Sequence, residues 1–154
     1  MTLSTYEAVR ESYRLTLQQE ITRSLKTQPD WDRFLAIAKK GQERIEAEQA
    51  AYRDEYNLRL ADAREIVLRE RTGLRYDAPK PLGGPDPFDK DNIDAIAHAR
   101  VEQDHAARLV KIKDDEIDKY RTLSTELQSR SQQKGRARDA FAMASPTRTR
   151  SQQR

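Results

Sequence analysis

Residues 30–71 read DWDRFLAIAKKGQERIEAEQAAYRDEYNLRLADAREIVLRER, and these forty-two residues contain no proline. Apolar side chains recur in this stretch at steps of three and four, which is the pattern of an amphipathic helix. The apolar stripe is narrow, and the opposite face is charged. Because a narrow stripe on so long a helix cannot bury itself, we expect another helix to lie alongside it, either from this chain or from a second chain.

The predicted central helix has a signal at each end. Thr27-Gln28-Pro29-Asp30 is typical of a helix start, since proline suits the first turn and the carboxylate faces the positive end of the helix dipole. Thr72-Gly73-Leu74 follows the last turn, where glycine adopts the left-handed conformation of a C-cap without steric cost. Gly41 leaves open whether residues 30–71 form one helix or two helices broken near that glycine.

A first helix is predicted over residues 4–26. Ser4 and Glu7 have the spacing of a capping box, and apolar residues then follow at helical steps. The short connection to residues 30–71 favours an antiparallel helical hairpin of residues 1–73. In the alternative interpretation, the first helix docks into a groove of a partner protein.

The remainder of the chain divides by composition. Residues 74–90 contain four of the six prolines and a Gly-Gly pair, which predicts a linker. Residues 91–129 have the helical spacing of a third long, coiled-coil-like helix. Residues 130–154 contain seven basic residues, one acidic residue and few apolar residues, which predicts a disordered basic tail. The predicted fold is therefore all-α: an elongated helical hairpin, a linker, a third helix and a tail.

The composition predicts a thin core. Charged residues make up 36% of the 154-residue chain and the mean hydropathy is −1.01. The absence of cysteine excludes disulfides and thiolate metal sites. No apolar run approaches the length needed to cross a membrane, and the first residues contain no apolar signal segment. These features favour a cytoplasmic protein that makes no membrane contact.

One group of residues raises the question of a metal site. Asp94, His98, Glu102 and His105 share a face of the third helix, and Glu102 and His105 have the Glu-x-x-His spacing of di-iron bundles. Those bundles need a second copy of the motif, and the chain has only one. The sequence also contains no recognisable nucleophile–base arrangement. We therefore predict no metal, cofactor, catalytic residue or small-molecule substrate, and a protein that is not an enzyme.

The amphipathic helices and the basic tail suggest binding. We expect the apolar faces of the helices to contact a protein partner or a second copy of the chain. The candidate partner-binding residues are Tyr6, Val9, Tyr13, Leu17, Ile21, Trp31, Phe34, Tyr52, Tyr56 and Leu60. Basic residues of the tail neutralise phosphates in a salt-dependent way that does not read sequence. The candidate nucleic-acid-binding residues are Arg130, Lys134, Arg136, Arg138, Arg148, Arg150 and Arg154.

Several functional interpretations remain open at this stage. The first is a non-catalytic accessory protein whose helices bind a protein and whose tail binds nucleic acid or another polyanion. The second is a helical inhibitor, similar in plan to an antitoxin, that caps a toxin or an enzyme with its N-terminal helices. The third is a structural assembly or scaffold protein. The tail itself is open to three interpretations: it binds a polyanion, it is a recognition tag, or it only keeps the protein in solution.

Overall fold

The described part of the chain is entirely α-helical in its regular structure. The structure, a computed structural model, describes the backbone of residues 3–77 and 89–144 and the side chains of residues 5–73 and 89–142. The helices are α1 (Leu3–Ser24), α2 (Gln28–Asp54), α3 (Tyr56–Asp77) and α4 (Lys90–Ala144). No strand occurs within these ranges, so the all-α prediction is confirmed.

Helix α2 begins at the predicted start signal. The Thr27 hydroxyl accepts a hydrogen bond from the backbone N–H of Asp30 at 3.4 Å and donates one to the Asp30 carboxylate at 2.9 Å. Thr27 therefore acts as the N-cap and Asp30 as the third helical residue. The exchange resembles a capping box with aspartate in place of glutamate, and it satisfies one of the otherwise unpaired amides of the first turn.

The predicted central helix is two helices, and the interruption lies at Glu55 and not near Gly41. Gly41 is buried inside α2. At the interruption, the backbone N–H of Glu55 donates to the Ala51 carbonyl at 2.8 Å, and the N–H of Arg59 donates to the Glu55 carbonyl at 2.9 Å. Because helical hydrogen bonds flank Glu55 on both sides, the chain bends locally there and forms no loop.

Helix α4 is longer than predicted. We expected the third helix to end at residue 129 and the chain to be disordered from residue 130, but the helix continues to Ala144. Arginine, lysine, glutamine and alanine dominate this segment, and all four have high helix propensity. Residues 145–154 and the central part of the predicted linker, residues 78–88, lie outside the described residues.

The chain divides into two compact units that do not coincide with the predicted hairpin and third helix. Unit 1 comprises residues 1–39 and 115–154, and unit 2 comprises residues 40–114. Helices α2 and α4 each contribute one part to each unit. The predicted hairpin of residues 1–73 is therefore not a separate body, because its apolar side chains pack against α4 within each unit.

Unit 1 contains a three-helix core. Its buried members are Leu17, Ile21 and Leu25 of α1, Phe34 of α2, and Ile117, Tyr120, Leu123 and Leu127 of α4. The polar contacts Arg14–Glu116 and Gln18–Tyr120 advance in the same direction along both helices, so α1 and α4 are parallel. The contacts Asp30–Arg130 and Arg33–Glu126 advance in opposite directions, so α2 is antiparallel to α4.

Unit 2 contains a smaller core between α2–α3 and the first half of α4. Its buried members are Leu60, Ala63, Ala97 and Val101, with Tyr52 and Tyr56 packed against them. Arg64 pairs with Asp94 and Tyr56 contacts His98, so α3 runs antiparallel to α4. Two of the four buried members are alanines, and the polar contacts Arg64–Asp94, Arg100–Glu70 and His105–Glu48 also link α4 to the facing helices.

Candidate functional site

The most distinctive surface of the described chain is the end of α4. Among the described side chains of α4, Leu127 is the last buried one, and every side chain from Gln128 to Ala142 is exposed. Lys134, Arg136 and Arg138 lie in this segment together with a single acidic residue, Asp139. We call residues 131–144 the basic extension. This part of α4 remains helical, but its described side chains do not pack in the unit 1 core.

One face of the basic extension continues the core-facing side of α4. At about 100° per residue, Lys134, Arg138 and Phe141 fall within about 60° of Leu123 and Leu127 when viewed along the helix axis. The side of α4 that is apolar up to Leu127 therefore becomes basic beyond it. Phe141, which is 78% exposed, is the one aromatic residue on that stripe. We call Lys134, Arg138 and Phe141 the basic stripe.

The cations of the basic extension differ from the arginines that link one helix to another. Five arginines of α1 to α4 bond to carboxylates of other helices, in the pairs Arg14–Glu116, Arg33–Glu126, Arg59–Glu48, Arg64–Asp94 and Arg100–Glu70. Among the described residues, Lys134, Arg136 and Arg138 have no such carboxylate partner. Their charges are therefore available to an external anion.

Arg130 belongs with the paired arginines, although the sequence placed it among the nucleic-acid-binding residues. Its guanidinium donates to both carboxylate oxygens of Asp30, at 2.9 and 3.0 Å. The Asp30 side chain is only 9% exposed. The hydrogen bond from Arg130, and next the one from Thr27, lower the pKa of Asp30 below its ordinary value. Arg130 therefore joins α4 to the start of α2. Of the other candidate cations, Arg148, Arg150 and Arg154 lie outside the described residues.

The structure separates the predicted partner-binding residues into three groups. Leu17, Ile21, Phe34 and Leu60 are buried in the cores of the two units, so they are not surface residues of this chain. Tyr52 and Tyr56 are half-buried against the unit 2 core. The remaining four candidates are exposed: Tyr6, Val9, Tyr13 and Trp31.

Tyr6, Val9 and Tyr13 form one exposed stripe on the N-terminal half of α1, because their spacings are three and four residues. The Arg10 guanidinium lies 5.6 Å from the centre of the Tyr6 ring, and that of Arg121 lies 5.4 Å from the centre of the Tyr13 ring. Arg121 Nε also donates to the Tyr13 hydroxyl at 2.9 Å. The stripe therefore combines aromatic surface with positive charge, a pairing common in protein interfaces.

The histidine motif of α4 does not assemble a metal site. Its side chains instead make separate contacts with the facing helices: Asp94 with Arg64, His98 with Tyr56, and His105 with Glu48. Glu102 is exposed. Within the described ranges, no group of three or more histidine or acidic side chains has the arrangement of a metal site.

Glu48 is the centre of a polar cluster that sequence reasoning missed. Its carboxylate accepts a hydrogen bond from Arg59 at 2.8 Å, contacts Nδ1 of His105 at 3.1 Å, and lies 3.8 Å from Arg108. The Tyr52 ring stacks on the His105 ring with 3.9 Å between centres. The hydrogen bond from Arg59 is the main cause that lowers the pKa of Glu48, although burial acts in the opposite direction. The sequence signal for this cluster is that Glu48 and Gln49 are polar where the three-and-four spacing of residues 30–71 calls for an apolar residue.

Unit 2 also has a cavity of about 520 Å³ between α3 and α4. Its floor contains Ala63 and Val101, and its charged walls are formed by Arg59, Asp62, Arg100, Asp104 and Arg108. The volume falls within the range of small-molecule sites. The three arginines, however, already bond to Glu48, Glu70 and Asp104. The cavity therefore has no uncompensated positive charge to offer a ligand.

No helix within residues 3–77 and 89–144 is both long enough and apolar enough to cross a membrane. Comparison of the chain with models of protein families, with curated proteins and with solved structures gives no match. The physical properties of the surfaces described above are therefore the basis for a functional proposal.

Proposed function

We propose that this chain is a non-catalytic binding protein that attaches to nucleic acid, or to another polyanion, through the C-terminal end of α4. A protein partner binds the exposed stripe of α1. The observation that carries the proposal is the contrast among the cations. Arg14, Arg59 and Arg64 are paired with carboxylates of other helices, whereas Lys134, Arg136 and Arg138 lie within five residues of one another, exposed and without a carboxylate partner among the described residues.

Binding of this kind draws its free energy from the release of counterions condensed on the phosphates. Six candidate cations remain after Arg130 is assigned to its pair with Asp30: Lys134, Arg136, Arg138, Arg148, Arg150 and Arg154. If all six contact phosphates of a duplex, the logarithm of the binding constant falls against the logarithm of salt concentration with a slope of about −5, and each cation that makes no phosphate contact makes that slope shallower by about 0.9. Such binding does not depend on base sequence.

Removal of residues 131–154 tests the proposal while leaving Arg130 and its contacts in place. We expect the full chain to bind a fluorescently labelled duplex at about 50 mM salt and to lose most of its affinity at about 200 mM. The truncated chain should not bind at either salt concentration. A full chain that shows no anisotropy change at low salt, or a truncated chain of unchanged affinity, contradicts the proposal.

The α1 stripe supports the second part of the proposal, because Tyr6 and Tyr13 hold large aromatic areas in partial contact with solvent. A photoreactive amino acid at Val9, introduced in cells of the source organism, should crosslink to one discrete protein. The same group at Ala8, which is exposed on the other side of α1, is the matched control. Equal crosslinking patterns at the two positions would count against a docking surface here. Whether the captured protein is a toxin or enzyme decides between an inhibitor and an accessory factor.

A further inference from the structure

The basic extension has a defined binding face, and this inference rests on the proposed attachment to a polyanion. We infer that it binds double-stranded DNA as an α-helix, with the basic stripe directed into the major groove. Lys134, Arg138 and Phe141 are the contacting residues, and Arg136 lies off the contact. The proposal therefore specifies both the class of nucleic acid and the face of the helix that meets it.

The positions of the charges favour one face over the other. Lys134 and Arg138 are one turn apart, about 6 Å along the axis, and both lie on the face that carries Phe141. Asp139, the one acidic residue of the extension, is about 140° away from Lys134 around the helix. Arg136 is about 160° away from Lys134 on the other side. A polyanion therefore meets two cations and no carboxylate on the basic stripe. On the opposite side of the helix it would meet Arg136 with the carboxylate of Asp139 nearby.

The dimensions of the extension fit a DNA duplex. Residues 131–144 form a helix about 20 Å long, and an α-helix with its side chains is about 10–12 Å wide. The major groove of B-form DNA is about 12 Å wide, whereas that of A-form RNA is too narrow and deep for side chains to enter. Single-stranded binding depends on several stacking aromatic side chains, and the described extension has only Phe141. These three points together select duplex DNA.

The extension is presented in a fixed orientation. Arg130, directly before it, bonds to the buried Asp30 at the start of α2, and Leu127 is packed in the unit 1 core. The helix therefore leaves the core with a set direction and a set rotation about its axis. The basic stripe continues the core-facing side of α4. Lys134 and Arg138 therefore lie on the same side of the helix as Leu127 and Arg130.

Gly135 makes the helical requirement testable. It lies in the middle of the extension, and a Cβ added there meets no atom within 4 Å. Alanine is therefore accommodated and favours the helix, whereas proline removes a backbone donor and clashes with the preceding turn. Neither substitution changes the charge. The two variants thus differ in helix formation alone.

The decisive experiment compares variants of the full chain for binding to a labelled DNA duplex at about 50 mM salt. Arg138→Ala and Arg136→Ala each remove one arginine, so any effect of net charge is equal in the two. We expect Arg138→Ala to weaken binding about fivefold or more and Arg136→Ala about twofold or less. Phe141→Ala should weaken DNA binding about as much as Arg138→Ala does. If the two arginine substitutions weaken binding equally, the assignment of the binding face is wrong. The proposal that the chain binds a polyanion would still stand.

The second comparison tests helix formation and the type of nucleic acid. Gly135→Ala should bind at least as tightly as the natural chain, and Gly135→Pro about tenfold more weakly. Equal affinity of these two variants contradicts binding as a helix. Single-stranded DNA and double-stranded RNA of the same length should bind more weakly than the DNA duplex, and tighter binding of either one overturns the choice of duplex DNA. Absence of any binding by the natural chain is the separate result that removes the proposed function itself.

Discussion

At the scale of single residues, the chain relies on carboxylates that bind more than one cation. Glu48 is the clearest case, because Arg59, His105 and Arg108 surround a side chain that is 11% exposed. Arg59 is itself only 13% exposed, and its bond to Glu48 spans the interruption between α2 and α3. Removing the carboxylate leaves a nearly buried guanidinium with the exposed Glu55 as its remaining partner.

Glu48→Gln should therefore destabilise the protein by about 1–3 kcal/mol, since a charged donor loses its buried acceptor. Glu65→Gln is the matched control, because Glu65 pairs with Arg69 on the exposed surface of α3. We expect that control to change the free energy of unfolding by about 0.5 kcal/mol or less. Urea denaturation followed by circular dichroism measures both values, and similar losses in the two variants would show that the polar cluster is not structural.

The pH dependence of stability follows from the same carboxylates. Bonds from arginine lower the pKa of Glu48, Asp30 and Glu126 below their ordinary values of 4.5, 3.8 and 4.5. A lowered pKa contributes stability that is complete above the ordinary value and is lost as the pH falls towards the folded-state value. We expect the free energy of unfolding to decrease below about pH 4.5. The decrease should be shallower in Glu48→Gln, and parallel curves would contradict this assignment.

At the scale of elements, helix starts were easier to predict than helix ends. Thr27 and Asp30 are local signals, because the cap and its acceptor are three residues apart, and α2 begins where they predict. The interruption at Glu55 has no glycine or proline to mark it, and the Glu48–Arg59 contact across it depends on the folded chain. The extension of α4 was missed because its polar composition suggested disorder, although its residues have high helix propensity.

The cap of α2 gives a prediction at this scale. Thr27→Ala should destabilise the protein by about 1 kcal/mol, because the Asp30 amide and carboxylate both lose a hydrogen-bond partner. Thr27→Ser retains the hydroxyl and should restore most of the stability. Thermal unfolding of the three proteins distinguishes the loss of the cap from a general effect of substitution, which would lower the stability of the serine variant as well.

At the scale of the whole molecule, the grouping of helices was beyond the reach of sequence patterns. The periodicity identified the apolar faces of α1 and α4 but not their parallel pairing, which joins residues about a hundred positions apart, such as Gln18 and Tyr120. Glu116 illustrates the difficulty. It breaks the apolar pattern of α4, and in the structure it is buried beside Arg14 of α1. The exposed basic stripe likewise became recognisable only once residues 130–144 proved to be helical.

Two truncations test how much of the chain the folded molecule needs. Removal of residues 131–154 should leave the melting temperature unchanged, because residues 131–142 bury no side chain. Removal of residues 130–154 should lower it, because the nearly buried Asp30 then loses the guanidinium that bonds to both of its oxygens. Differential scanning calorimetry of the two shortened proteins gives the comparison, and equal melting temperatures would assign Arg130 no structural role.

Unit 1 joins residues 1–39 to residues 115–154, and this imposes an order on its assembly during synthesis. Residues 40–114 all leave the ribosome before residue 115, so unit 2 has its whole sequence available while the sequence of unit 1 is still incomplete. Leu17 and Ile21 lack their contacts with α4 on the nascent chain until Ile117 to Leu127 have been made. Contacts so distant in sequence form slowly. The growing chain therefore passes through a stage in which α1 is exposed to chaperones and proteases.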